Sequence, residues 1–183
     1  VRITGGEPLI RRDLPDLIRK ISAIPEIEDL SLSTNAVLLA DQAQDLRDAG
    51  IQRLNISLDS LQQDRVDEIA RRPGSFPKIF EGLEAAERVG FSPIKVNVVL
   101  IRGRNDDEIE DFARITKERP WHVRFIEMMP TGSNLDLSAN SFISCQEALT
   151  RVRAIDQLEP VDGPFGNGPA DYYRFPGAPG TVG

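Results

Sequence analysis

The sequence has few residues that hold metals or form disulfides: among its 183 residues are one cysteine, Cys145, and one histidine, His122. One cysteine makes no internal disulfide, and these two side chains cannot supply the three or four ligands of a zinc site. We therefore expect no metal ligand within these residues. A reducing compartment, the cytoplasm, is the simplest location. No apolar run is long enough to cross a bilayer, so we expect no membrane partner.

Positive charge is also in short supply, since 22 Lys and Arg residues face 29 Asp and Glu residues and leave a net charge of −7. Nucleic-acid binding requires a basic face, so we expect no nucleic-acid partner. No residue has the setting of a catalytic acid or base. The chain opens with Val1 inside a strand-like pattern, which favours an internal piece of a longer protein.

Strand-like and helix-like apolar patterns alternate along the chain. The predicted strands cover residues 1–4, 29–34, 53–58, 94–100 and 122–127. This alternation predicts parallel strands with right-handed crossovers, as in a barrel or a doubly wound sheet. The sequence has no G-x-G-x-x-G motif, which argues against the doubly wound sheet. Asn105 with Glu108, and Ser144 with Glu147, are predicted capping boxes of two helices.

The last part of the chain differs in composition. From Pro160 onward it is rich in glycine and proline. We predict a partial barrel domain over residues 1–158. Residues 159–183 are predicted to be a connector toward a further region of the protein, or the start of another lobe.

Polar and apolar residues alternate within the predicted strands, whereas strands buried on both faces are apolar throughout. In a barrel, the apolar set would face the helices and the polar set the interior. That interior would hold Arg2, Lys95 and Arg124, and three cations in a dry interior would be too costly. The pattern therefore predicts an interior that binds an anionic ligand. An antiparallel sheet with one solvated face is the alternative, and the long helical crossovers argue against it.

The segment Thr4-Gly5-Gly6-Glu7-Pro8 follows the first predicted strand. Ligands bind at this carboxyl end of the strands in parallel folds. Two glycines let the backbone turn sharply and approach a ligand closely. Exposed carbonyl groups beside the Glu7 carboxylate would suit an ammonium group. A plain turn is the alternative when this motif is taken alone.

The motif and an ordered series of others resemble the GTP 3′,8-cyclase family of molybdenum cofactor biosynthesis, within the radical S-adenosylmethionine (radical SAM) superfamily. The resemblance covers nearly the whole chain. The series comprises Arg2–Leu9, Arg11–Leu14, Leu32–Asn35, Asn55–Asp59, Lys95–Val99, Asn105–Glu108, Arg124–Met129 and Asp171–Arg174.

This resemblance implies an α/β fold, a partial (β/α)6 TIM-like barrel of the radical SAM type, here lacking its first strand. It implies S-adenosylmethionine and two [4Fe–4S] clusters as cofactors, with cluster cysteines upstream of Val1 and downstream of Gly183. One cluster would cleave S-adenosylmethionine to a radical that abstracts hydrogen from GTP and starts its conversion to (8S)-3′,8-cyclo-7,8-dihydroguanosine 5′-triphosphate. These residues alone would be inactive.

The resemblance also implies site residues. Gly6, Ser57 and Met129 match S-adenosylmethionine contacts, and the matches to GTP contacts are Arg2, Ser33 and Lys95. Asn97 and Arg124 are expected to line the same cavity. Ser33 stands where the family has Thr, and it keeps the hydroxyl. Ala36 stands where the family has Gly, so the loop at that position is expected to differ locally.

The implied partners are GTP, an electron donor, a second copy in a homodimer, and a downstream cyclic pyranopterin synthase. Two other functions stay open: another radical SAM enzyme, such as a peptide-modifying one, and a non-catalytic nucleotide-binding module.

Overall fold

A computed structural model describes residues 1–129, 141–163 and 170–183. The chain forms two compact units. The first consists of residues 1–58 and 62–95, and the second consists of residues 59–61 and 96–183. Strand β4 (Ile94–Leu100) begins in the first unit and continues in the second.

The first unit is an α/β arrangement. Its strands, besides the start of β4, are β1 (Arg2–Ile3), β2 (Ser31–Thr34) and β3 (Arg53–Ser57), and its helices are α1 (Leu14–Ser22), α2 (Leu39–Ala49), α3 (Gln63–Ala70) and α4 (Ser75–Arg88). β2 pairs in parallel with both β1 and β3. This order confirms the prediction of parallel strands joined by helical crossovers, and it makes the alternative of an antiparallel sheet wrong for this unit.

The apolar strand residues and the helices form the core of the first unit. Leu32, Leu54 and Ile56 are fully buried, as are Leu39 and Leu46 of α2 and Leu83 of α4. Helix α2 is followed by Gly50, whose φ of 116° forms a left-handed C-terminal cap. The apolar residues of β2 and β3 therefore belong to the same buried core as the helices.

The second unit continues β4 and adds α5 (Ile109–Glu118), β5 (Trp121–Glu127), α6 (Cys145–Arg153), β6 (Glu159–Val161), β7 (Tyr172–Arg174) and β8 (Thr181–Val182). The strand order is β4, β5, β8, β7, β6. β8 runs parallel to β5, whereas β7 is antiparallel to both β8 and β6. The division of the chain between residues 158 and 159 stays a prediction.

The two predicted capping boxes have different outcomes. At α6, Ser144 Oγ accepts the backbone N–H of Glu147 (3.1 Å), which confirms the N-terminal cap, although the Glu147 side chain binds Arg102 instead of closing the box. The capping box at Asn105 is wrong. The side chain of Asn105 caps no helix, because it bonds to backbone groups of Asp59, Val99 and Ile101.

Candidate functional site

The parallel register aligns polar side chains across the first three strands. Arg2 lies opposite Ser31, and Ser31 lies opposite Arg53. Two residues further along, Ser33 lies opposite Asn55. Alternate residues of a strand point to the same face, so all five side chains share one face of the first unit. We call this surface the polar face.

Lys95 extends the polar face to β4. The backbone N–H of Leu54 donates to the Pro93 carbonyl (3.4 Å), which puts the start of β4 beside β3. The pleat then gives Lys95 the same side as Asn55. Lys95 is only 3% exposed, whereas Arg2 is exposed and Ser33 is half-buried. The structure thus brings three predicted GTP contacts, Arg2, Ser33 and Lys95, to one face.

Arg53 is a cation of the polar face that the sequence analysis did not single out. Its Nε donates to Asp29 Oδ1 (2.7 Å), and a second guanidinium nitrogen binds Asp29 Oδ2. The hydrogen bonds from Arg53 lower the pKa of Asp29, and the charge of Lys95 lowers it further. The signal was present, because Arg53 alternates with Leu54 in the same phase as Asn55 and Ser57.

The Glu7 carboxylate ties the glycine-rich loop to the end of β2. Glu7 Oε1 accepts the Thr34 hydroxyl (2.5 Å) and the Leu9 N–H (3.1 Å), and Oε2 accepts the Asn35 N–H (2.8 Å). The Thr34 oxygen in turn accepts the N–H of Ala36 (3.0 Å). Most of the acceptor capacity of the carboxylate is therefore used within the protein. Glu7 is thus an anchor of the loop, and the ammonium contact expected beside it stays a prediction.

The backbone of the glycine-rich loop is open to a ligand. Gly5 and Gly6 are exposed, and a Cβ added at either would meet no other atom within 4 Å. Ser57, at the end of β3, also exposes its hydroxyl. S-adenosylmethionine carries an ammonium group, a carboxylate and ribose hydroxyls, which pair with backbone groups and side-chain hydroxyls. The groups present in the first unit therefore fit this cofactor.

The backbone of Ala36 has the conformation that a glycine would adopt. Its φ of 62° lies in the left-handed region, which favours the glycine usual in the family. Ala36 is fully buried, and a Cβ added to Gly82 of α4 would stand 2.5 Å from its carbonyl oxygen. The loop keeps the conformation that a glycine would adopt, and Gly82 leaves room for it.

In the second unit, two further predicted residues meet. Arg124 Nε donates to Asn97 Oδ1 (2.8 Å), which joins the polar residues of β5 and β4. Both side chains are half-buried. Met129 follows the end of β5 and is 73% exposed, so it is not the core residue that a methionine there could have been. Asn97 and Arg124 are thus in direct contact, and the expectation that they line the GTP cavity stays a prediction.

Within the second unit, residues 59–61 are held by buried polar groups of that unit. Asp59 accepts the Val99 N–H (2.8 Å), and burial raises the pKa of Asp59. Glu108, 2% exposed, accepts the Ser60 hydroxyl (2.8 Å) and the Leu61 N–H (2.5 Å). Asn105 donates to the Asp59 carbonyl (2.7 Å). These bonds fix the loop that follows Ser57, a predicted cofactor contact.

In the described ranges 1–129, 141–163 and 170–183, no group of three or more His, Cys, Asp or Glu residues could hold a metal ion. Cys145 is a free cysteine whose Sγ lies 3.6 Å from the carbonyl oxygen of Phe125. Within the same ranges, no helix has the length and hydropathy of a membrane span.

Comparison with known proteins gives a family match over most of the chain. The model of the radical SAM superfamily matches residues 1–115. Proteins named GTP 3′,8-cyclase are similar over the whole chain: that of a Picosynechococcus strain is 50% identical over 186 residues, and that of Moorella thermoacetica is 44% identical over 183 residues. The chain covers 56% of each of these proteins and thus spans about half the length of the curated relatives it matches.

Solved structures agree on the fold. A domain of a pyruvate-formate lyase-activating enzyme from Bacteroides vulgatus has a TM-score of 0.62 at 15% identity, covering 100% of this chain and 98% of that one. Coproporphyrinogen III oxidase from Escherichia coli, described as a radical SAM enzyme, has a TM-score of 0.56 at 17% identity, covering 84% of this chain and 38% of that one. The predicted α/β class of the radical SAM type is confirmed, and the chain belongs to the radical SAM superfamily.

Proposed function

We propose that this chain is part of a lyase that converts GTP to the 3′,8-cyclised nucleotide in molybdenum cofactor biosynthesis. The observation that carries the proposal is the polar face of the first unit, where the buried Lys95 shares a surface with Arg2 and Ser33. The names of relatives that are 44 to 50% identical to the chain support the same reaction.

The residues that we propose to bind S-adenosylmethionine lie at the ends of strands. Membership of the superfamily implies this cofactor and [4Fe–4S] clusters, whose ligands lie outside the described residues of this chain. Together the bound cofactors supply the radical that activates the substrate. The backbone of Gly6 and the hydroxyl of Ser57 would hold S-adenosylmethionine, and Met129 would pack against it.

The residues that we propose to bind GTP are cationic or carry a hydroxyl group. A triphosphate bears several negative charges, and Lys and Arg side chains bind its oxygens through charge-assisted hydrogen bonds. Arg2 and Lys95 supply the positive charges, and the hydroxyl of Ser33 can donate or accept a hydrogen bond. The second unit has a cation of its own, Arg124, which is oriented by Asn97. The burial of Lys95 strengthens its interaction with an anion, since a low local dielectric screens charges weakly.

The direct test uses the full-length protein with its clusters reconstituted anaerobically. With GTP, S-adenosylmethionine and a reductant, we expect the cyclised nucleotide to form as S-adenosylmethionine is consumed. Cleavage of S-adenosylmethionine with no product from GTP would contradict the proposal and favour another radical SAM substrate, such as a peptide. A parent protein without cluster cysteines that still binds GTP would instead be a nucleotide-binding module.

The remaining partners follow from the proposed reaction. Reductive cleavage of S-adenosylmethionine requires an electron donor, and the cyclised nucleotide requires an enzyme that completes the pterin, a cyclic pyranopterin synthase. We further propose that the whole protein acts as a homodimer in the cytoplasm. Size-exclusion chromatography with light scattering tests the oligomeric state, and a monomer at micromolar concentration would contradict the dimer.

A further inference from the structure

We propose that Thr34 is a positioning residue for S-adenosylmethionine: its hydroxyl holds the Glu7 carboxylate, and thereby the Gly5–Gly6 backbone, in the geometry that receives the cofactor. This inference rests on the part of the proposed function that concerns S-adenosylmethionine and is independent of the identity of the second substrate. It concerns the last residue of β2, which the comparison with family site residues did not include.

The direction of the Thr34 hydroxyl is fixed by its neighbours. Thr34 is 3% exposed, and its oxygen already accepts the Ala36 N–H at 3.0 Å. A hydroxyl has one proton, and the oxygen of Glu7 at 2.5 Å is positioned to accept it. Thr34 is therefore a donor to Glu7, and a hydrogen bond from a hydroxyl to a carboxylate is short and strong.

Glu7 transmits this constraint to the glycine-rich loop. Its carboxylate bonds to β2 through Thr34 and Asn35, and to its own loop through the Leu9 N–H. Gly5 and Gly6 have no side chains that could pack, and a Cβ at either position would meet open space. Glu7 thus links an otherwise open loop to the rigid end of a paired strand.

The adjoining residues keep Thr34 in place. Ala36 adopts a left-handed conformation, and its carbonyl packs against Gly82 of α4. This geometry directs the Ala36 N–H toward the Thr34 oxygen, so that the hydroxyl proton has a single direction. A valine at position 34 would keep the shape of the side chain but would lose both hydrogen bonds.

The experiment uses the full-length protein and compares Thr34→Val with Thr34→Ser. In the cluster-loaded protein, we expect Thr34→Val to raise the Kd for S-adenosylmethionine about tenfold, as for the loss of one hydrogen bond to a charged group. Thr34→Ser keeps the hydroxyl and should restore a Kd within about threefold of the original. Thr150→Val, on the exposed side of α6, is the matched control and should leave the Kd for S-adenosylmethionine unchanged.

A second measurement needs no cofactor. In the cluster-free full-length protein, hydrogen–deuterium exchange of residues 4–10 should become faster in Thr34→Val and return to the original rate in Thr34→Ser. Exchange in α2 and α4 should stay unchanged, which separates local release of the loop from general loss of stability. If exchange rose equally in all these elements, the positioning role would be wrong.

Two further outcomes would overturn the proposal: an unchanged Kd for S-adenosylmethionine in Thr34→Val, or no recovery in Thr34→Ser. Should Thr34→Val not fold, Glu7→Gln serves instead, because its amide nitrogen would replace one carboxylate oxygen and cannot accept the hydrogen bonds that this oxygen receives. Glu7→Gln with an unchanged Kd would equally overturn the proposal. Because S-adenosylmethionine binding is measured without GTP, failure of GTP turnover would contradict the cyclase function and leave this result intact.

Discussion

Gly82 of α4 faces the carbonyl oxygen of Ala36 so closely that a Cβ built on Gly82 would stand 2.5 Å from that oxygen. The opposing atom belongs to the backbone of a fully buried residue, so it cannot move away as the end of a long side chain could. Helix α4 and the loop after β2 therefore approach each other at a distance that only glycine permits.

Gly82→Ala should destabilise the protein even though alanine is the better helix former. The steric cost of about 1 to 3 kcal/mol for overpacking exceeds the gain of about 1 kcal/mol in helix propensity. Thermal unfolding of the full-length protein measures the effect, and we expect a lower midpoint. Glu81→Ala, an exposed position in the same helix, is the control and should leave the midpoint unchanged or slightly raised. A raised midpoint for Gly82→Ala would contradict the close approach.

Lys95→Met should weaken GTP binding without weakening S-adenosylmethionine binding. Methionine retains most of the apolar stem but removes the buried charge that we assign to the triphosphate. We expect the Kd for GTP to rise at least tenfold, about 1.4 kcal/mol or more, as measured by calorimetry on the full-length protein. Lys78→Met removes an exposed lysine of α4 and serves as the control. Equal GTP affinities for both variants would exclude Lys95 from the nucleotide site.

Asn105→Ala should cause one of the larger losses of stability among polar substitutions in the second unit. The Asn105 amide donates to the carbonyls of Asp59 (2.7 Å) and Val99 (2.9 Å), and its oxygen accepts the Ile101 N–H (2.8 Å). Alanine would leave these groups unpaired in a buried site, at a cost of about 2 to 4 kcal/mol. Denaturant unfolding should show this decrease in the free energy of unfolding. The control is Glu118→Ala at an exposed position, whose free energy of unfolding should stay within about 0.5 kcal/mol of that of the original protein.

Glu110→Gln should lower stability at neutral pH but not in acid. Both oxygens of Glu110 accept hydrogen bonds from Arg151, at 2.6 and 2.7 Å, and these bonds lower the pKa of Glu110. A carboxyl whose pKa is lower in the folded state stabilises the fold above its unfolded pKa of about 4.5. That contribution, about 1 kcal/mol at most, is lost as the pH falls through the folded pKa.

Thermal unfolding midpoints of the original protein and Glu110→Gln, measured from pH 7 to pH 3, should therefore converge toward the acid end. The control is Glu118→Gln, which removes an exposed carboxylate of the same helix. A difference between Glu110→Gln and the original protein that grows as the pH falls would show the opposite linkage and contradict the ion pair.

Local alternation in the sequence predicted much of the polar face. The period of two within each strand gave the correct side for Ser33, Asn55 and Lys95, because one face of every strand must pack against helices. The same rule brought Asn97 and Arg124 together. These features depend on short-range pattern and on the parallel order of the strands, both of which the sequence carries.

Interactions between distant residues were not predictable in the same way. Glu108 had the spacing of a capping residue, yet its carboxylate bonds to Ser60 and Leu61, which lie 48 and 47 residues away along the chain. Only the tertiary fold brings that loop beside α5, and its buried N–H and hydroxyl groups need an acceptor more than the helix start does. For Arg53, the alternation in β3 indicates the polar face, but the pairing with Asp29 is a tertiary contact that the sequence does not show.

The last three strands were not predicted from the sequence, for another reason. β6, β7 and β8 contain three, three and two residues, too few for a period of two to be visible. Pro160, within β6, and Gly180, just before β8, indicate a loop by composition. Gly180 is needed for close packing instead, because an added Cβ would lie 2.8 Å from the Arg119 carbonyl oxygen.

Because the surroundings of Gly6 are open, two kinds of screen on a variant library of the whole protein should give different results at this position. Its backbone φ is outside the left-handed region, and no neighbouring atom would meet a Cβ there, so alanine at this position costs the fold little. Gly6→Ala should therefore be recovered in a screen for cellular protein abundance. It should be lost in a screen for growth that depends on molybdenum cofactor synthesis. At Gly5, whose φ is 150°, the backbone itself already restricts the choice of residue.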